Sequence, residues 1–199
     1  MHVVGIVGGV AAGKTLVAGL LSEMGAAVLD VDRFGHEVLC REDVVVAARR
    51  RWGDGIFGPD GKIDRKKLAA IVFAPPPEGP RERKYLEQLT HPEIGRLVRQ
   101  EVDRLAGGGW KLAVLDAPLL LEAGWNDFCT TIMFVDAPRS LRLDRAKSRG
   151  WNEEDFAARG DAQNSLNSKR SQADVIIDNS ASAESTKAQI ERWRQSPAV

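Results

Sequence analysis

Residues 8 to 15 read Gly8-Gly9-Val10-Ala11-Ala12-Gly13-Lys14-Thr15, a complete G-x-x-x-x-G-K-S/T pattern. No other feature constrains the chain as tightly, because both flanks suit what the pattern needs. Ahead of it, Val3-Val4-Gly5-Ile6-Val7 is a short apolar run of the kind that forms a buried parallel strand. Behind it, Leu16, Val17, Leu20, Leu21 and Met24 recur on one helical face, and Gly25 supplies a C-terminal stop. Strand, glycine loop and helix follow in order. Glycines let backbone N–H groups crowd around a polyphosphate without Cβ clashes, and the helix N-terminus adds partial positive charge. Lys14 is placed to reach β- and γ-phosphates, and the Thr15 hydroxyl to bind Mg²⁺. The alternative, a glycine-rich turn that binds nothing, leaves the Lys-Thr ending unexplained.

The 199 residues suffice for one full core with inserted subdomains. Twenty-eight basic and 28 acidic residues cancel, which disfavours a dedicated nucleic-acid binder with its basic face. Cys40 and Cys129 are too few and too far apart for a disulfide framework or zinc pattern, and small buried hydrophobes are the expected role for both. The N-terminal apolar stretch reads as strand, without a basic leader or cleavage pattern. No apolar run approaches the ~20 residues of a membrane span. A cytoplasmic protein without a membrane or nucleic-acid partner is the expectation.

Further strands are expected at Ala26–Asp30, Leu112–Asp116, Thr131–Val135 and Ala173–Ile177. Helices are expected over residues 33–52, from the Asp64 cap to about Phe73, over 81–106 with an interruption near Pro92, in parts of 139–170, and over 183–195. Residues 53–62 read as loop and the proline-rich stretch 74–80 as a break between helices. Strands alternating with helices give an α/β class: a three-layer, parallel-sheet nucleotide-binding fold. Its ligands bind beyond the carboxyl ends of the strands, where residues 8–15, 30–32 and 116–122 all lie. The expected division is a core of about 1–35, 107–139 and 171–199, a helical substrate-binding insertion of about 36–106 and a helical lid of about 140–170.

Asp30-Val31-Asp32 ends the second strand. Phosphoryl transfer to a hydroxyl needs a proton acceptor near the phosphates, and Asp32 suits that role, with Asp30 a lesser candidate for metal or water. Asp32 as the N-cap of the next helix is the competing reading. Asp116 closes a Walker-B-like strand, but Ala117 follows where a water-activating ATPase often has glutamate. Arg142, Arg145 and Arg149 share one face if helical, and either close over phosphates or form a solvated face with Asp144, Glu153 and Glu154. His91-Pro92 reads as a turn or helix break.

Together these motifs resemble the dephospho-coenzyme A kinases, P-loop kinases that move the ATP γ-phosphate to the ribose 3′-hydroxyl of dephospho-CoA. The resemblance runs from about residue 3 to 182. It includes the loop, Asp30 with Asp32, Asp60-Gly61-x-Ile63-Asp64-Arg65, Leu86-Glu87 with His91-Pro92, and Pro118-Leu119-Leu120-x-Glu122. It continues through Arg145, Arg149, Arg159 with Gln163, and Ala173-Asp174-x-Ile176-Ile177-x-Asn179. It implies ATP and Mg²⁺ as cofactors and dephospho-CoA as substrate. It implies Lys14 and Thr15 on phosphates and metal, Asp32 as base, Arg65 and His91 in the CoA-binding segment, Arg145 in the lid and Asn179 near adenine. The chain departs from the family where Ala11-Ala12 replace the usual Ser or Gly. It departs again where Arg142 stands in place of a glutamine, and where Gly150 follows Arg149 in place of Asp. A nucleoside or nucleotide kinase is the alternative within the class. A nucleotide-dependent switch is the alternative outside it, and the chain lacks the Asn-Lys-x-Asp signature of guanine-specific switches.

Overall fold

The computed structural model describes residues 1–161 and 165–196. In chain order its elements are β1 (His2–Gly8), α1 (Lys14–Glu23), β2 (Ala27–Asp30), α2 (Val31–Val38), α3 (Glu42–Trp52), α4 (Arg65–Val72) and α5 (Glu78–Gly107). There follow β3 (Leu112–Asp116), β4 (Thr131–Asp136), α6 (Arg139–Lys147), α7 (Glu153–Asp161), α8 (Leu166–Ser171), β5 (Val175–Asp178) and α9 (Ala183–Arg194). The strands form one parallel sheet in the order β2-β3-β1-β4-β5. Parallel neighbours require crossover connections, which cover both faces and explain why the central strands are continuous apolar runs.

By internal contacts the chain divides into Met1–Asp30 with Glu101–Val199, and Val31–Gln100. In the first unit Val4, Ile6, Val114, Met133 and Val135 of the sheet pack with Val17 and Leu21 of α1 and Ile190 of α9. Four strands end in aspartate, at Asp30, Asp116, Asp136 and Asp178, and register sets Asp30 beside Asp116 and Asp136 beside Asp178. The carboxyl edge of the sheet is therefore acidic where β1 delivers its glycine loop. In the second unit Ala48, Ile56 and Phe57 make a small core with Trp52, Ile63 and Ile71. Glu82, buried, accepts from Arg51 at 2.7 and 2.8 Å, Trp52 at 3.0 Å and Arg81 at 3.0 Å. The Arg51 hydrogen bonds lead in drawing its carboxyl down to about 2.

Three sequence expectations change. Residues 33–52 are two helices, because Arg41 takes an extended conformation and Glu42 and Asp43 open a new first turn, where acidic side chains complement the helix dipole. The long helix α5 runs unbroken through His91-Pro92, so that pair marks no turn. Pro80 falls within its first turn, where an N–H is not needed. Leu16 is exposed while Val17, Leu20 and Leu21 carry the buried face of α1. Asp64 caps α4 as its position suggests, accepting from the Lys66 and Lys67 amides.

Gly5 stands mid-strand in β1 because nothing larger fits. A Cβ there would lie 2.6 Å from Cys129 Sγ, 2.9 Å from Leu120 Cδ1 and 3.0 Å from Ile132 Cδ1. Overpacking of this kind costs about 1–3 kcal/mol. Gly5→Ala should lower the urea midpoint accordingly with the slope unchanged; an unaltered midpoint would show that the packing around Gly5 relaxes without cost.

Candidate active site

The glycine loop joins β1 to α1 as the motif requires, and its backbone explains its residues. Gly13 has φ +104°, and a Cβ on it would sit 2.0 Å from Asn179 Nδ2, so only glycine fits. Ala11 adopts φ +58°, a left-handed conformation where glycine is the easier residue. The departure at Ala11 therefore carries backbone strain, while Ala12 is buried without it.

Side chains from three elements hold the loop carbonyls. Lys14 Nζ lies 3.4 Å from the carbonyls of Gly8 and Gly9. Arg142 donates to Val10 at 3.4 Å, and Arg145 to Ala12 at 3.1 Å. Asn179 Nδ2 donates to the same Ala12 carbonyl at 2.8 Å, and its Oδ1 accepts from the Thr186 hydroxyl at 2.9 Å. In a trans peptide the carbonyl and the next N–H point in opposite directions. Turning the carbonyls of Gly8, Gly9, Val10 and Ala12 toward these side chains therefore aims the amides of Gly9, Val10, Ala11 and Gly13 the other way. Converging amides at a helix N-terminus form an anion cradle.

Beneath the loop lies a buried charge cluster. Burial pushes the Lys14 ammonium down to about 8; Asp116 and Glu122 oppose that, while Lys169 and Arg142 add to it. The residue as a whole is half-buried. Lys169 of α8, 1% exposed, reaches Glu122 Oε1 at 3.1 Å. Sequence reasoning missed Lys169: it lies in Ser168-Lys169-Arg170-Ser171, which reads as solvated surface. Glu122 is legible only as part of a motif; its partner supplies the reason for it.

The remaining candidates divide. Thr15 is exposed in the first turn of α1. Asp32 is exposed and lies inside the first turn of α2, so it is not the N-cap of that helix. It follows the carboxyl end of β2 by two residues. Arg65 opens α4, exposed, beside the turn in which Gly58 donates to the Lys62 carbonyl at 2.8 Å. His91 is half-buried in α5, and burial lowers its imidazole pKa against the pull of Glu87. Arg142 and Arg145 lie on α6, but Arg149 falls beyond its end, in the turn before Gly150 at φ +82°. The three arginines therefore do not share one helical face. Glu153 pairs with Arg139 at 3.0 Å, not with Arg142 or Arg145. Gln163 lies outside the described residues. Of the cysteines, Cys40 is exposed, contrary to expectation, and burial raises the Cys129 thiol to about 12.

Comparison with known proteins bears on this site. A family model for dephospho-CoA kinase matches residues 2–185. A dephospho-CoA kinase of Symbiobacterium thermophilum is 38% identical over 198 residues, covering 98% of this chain and 81% of that protein. A solved Thermus thermophilus structure aligns with TM-score 0.81 and 32% identity, covering 97% of this chain and 95% of its own. A dephospho-CoA kinase from Campylobacter jejuni, 22% identical with TM-score 0.64, covers 98% of this chain and 96% of its own and shares the fold.

Lys14 carries a stability cost with a definite pH window. Its folded value of about 8 lies below the ordinary 10.5, so below pH 8 the charged amine is held unfavourably in full. Between about 8 and 10.5 the folded chain releases a proton that the unfolded chain keeps, and stability rises with pH. Lys14→Met should therefore be more stable than the native chain at pH 7, on the order of 1–3 kcal/mol. The gap should close by about pH 10.5. Thermal midpoints across that range check it; a less stable variant at pH 7 would contradict it.

Proposed function

The chain belongs to the dephospho-CoA kinase family, and from that premise we propose how its residues carry the transfer. The reaction is ATP-dependent phosphorylation of the ribose 3′-hydroxyl of dephospho-CoA, which yields CoA. The fold is that of the P-loop kinases, shikimate kinase among them. Among the described residues no helix is long and apolar enough to cross a membrane, and we infer a cytoplasmic enzyme.

The oriented loop is the observation that supports the assignment best. Within the loop Gly8 to Thr15 the amides of Gly9, Val10, Ala11 and Gly13 cradle the ATP phosphates, and Lys14 places its ammonium on the β- and γ-phosphates. The Thr15 hydroxyl and the carboxylates of Asp30 and Asp116, whose backbones are neighbours in strand register, are hard oxygen donors of the kind that would hold Mg²⁺. Mg²⁺ held there would neutralise phosphate charge. Asp32 accepts the 3′-hydroxyl proton as that oxygen bonds to the γ-phosphorus and the bond to the β-phosphate oxygen breaks, releasing ADP. Arg145 stabilises charge on the transferring group from the lid, residues 140–170. Asn179 lies at the adenine. Arg65 and His91 contact dephospho-CoA within the insertion, residues 36–106.

The test is mass-detected phosphorylation with dephospho-CoA, adenosine and AMP offered separately as acceptors. A gain of one phosphate on dephospho-CoA alone is expected; equal gain on AMP would favour a nucleotide kinase. Asp32→Asn should lose about 10²–10⁴-fold in turnover, as loss of a positioned base does, while binding ATP normally. Near-native turnover would remove Asp32 from the role.

A further inference from the structure

We propose that Arg142 is a second cationic ligand of the ATP triphosphate, acting beside Lys14 at the glycine loop. The inference rests on the reading of that loop as the triphosphate site.

Arg142 is 9% exposed. Its Nε donates to the Ala137 carbonyl at 3.1 Å and one terminal nitrogen to the Val10 carbonyl at 3.4 Å. A Cβ on Gly9 would lie 2.6 Å from that same nitrogen, so the guanidinium lies directly against the loop backbone. The Phe156 ring covers it with its centroid 5.6 Å from the guanidinium carbon.

A buried guanidinium is normally matched by a carboxylate. Among the described residues Arg142 forms no ion pair within 4.0 Å. The charges around it are Arg139 and Lys14, of like sign, and Asp136, which is engaged by Arg170. Two carbonyls are poor compensation for a buried cation, and the 3.4 Å contact is at the limit of a hydrogen bond. A phosphate oxygen offers a charge-assisted bond, about 2.7–2.9 Å long and roughly twice as strong as a neutral one. Arg142 is thus a buried cation against the loop backbone without a carboxylate of its own, and a triphosphate held at the loop would supply the missing anion.

Arg142 could instead serve only to brace Val10. Two variants separate charge from bracing: Arg142→Gln keeps an amide donor and loses the charge, and Arg142→Lys keeps the charge. Calorimetric affinities for ATP and AMP, each at low and high salt, are measured on the full chain with thermal midpoints alongside. Arg142→Gln should weaken ATP binding roughly 10–100-fold, the range of a lost charge-assisted bond. It should leave AMP nearly unchanged and flatten the salt dependence of ATP binding. Arg142→Lys should keep most of the ATP affinity. Unchanged ATP affinity in Arg142→Gln overturns the proposal, as does parallel loss of ATP and AMP in both variants. A native chain that binds no ATP would instead overturn the loop assignment beneath it.

Discussion

The orientation of four peptide units in the glycine loop is the constraint from which the site follows. Their carbonyls are held by Lys14, Arg142, Arg145 and Asn179, and planarity of the peptide then fixes where the amides point. Asn179 ties the loop furthest into the fold. Its backbone amide donates to the Asp136 carbonyl at 2.8 Å, its side chain reaches Ala12, and Thr186 of α9 donates to it. The loop is thus anchored to the ends of β4 and β5 and to a terminal helix, not merely to the strand and helix it connects.

This anchoring is electrostatically costly. Three cations lie around one loop, and Lys14 sits above a cluster in which Lys169 and Glu122 form a pair removed from water. Buried pairs seldom add net stability, because desolvation offsets attraction. Such arrangements persist where a bound anion repays the imbalance, and the depressed Lys14 ammonium is the same cost seen as a proton equilibrium. A site prepared for a polyanion is, in its own right, a strained one.

How much of this was legible in the sequence depended on range. The loop, its flanking strand and helix, the Asp64 cap and the alternation of strands and helices rest on local periodicity and turn chemistry, and they appear where the residues suggest. Pro92 misled because a single missing N–H does not end a helix whose Ile94, Val98 and Leu105 are buried. Arg149 misled because three- and four-residue spacing implies a shared face only if the helix continues, and it stops before Gly150. Lys169 was invisible because its burial depends on Glu122, far off in sequence and placed by the return of the chain after β3. Asn179 could be recognised only by resemblance. Its contact with Ala12 spans 167 residues, and no local pattern encodes it.

The most direct test of the loop-orientation account is the affinity of Asn179→Ala for inorganic triphosphate, a probe with no base for Asn179 to touch. Loss of the brace on the Ala12 carbonyl should weaken binding by roughly 10-fold, the range of one buried hydrogen bond, in a variant that still unfolds cooperatively. Undiminished triphosphate affinity would mean that the loop amides keep their direction without the side chains that hold their carbonyls.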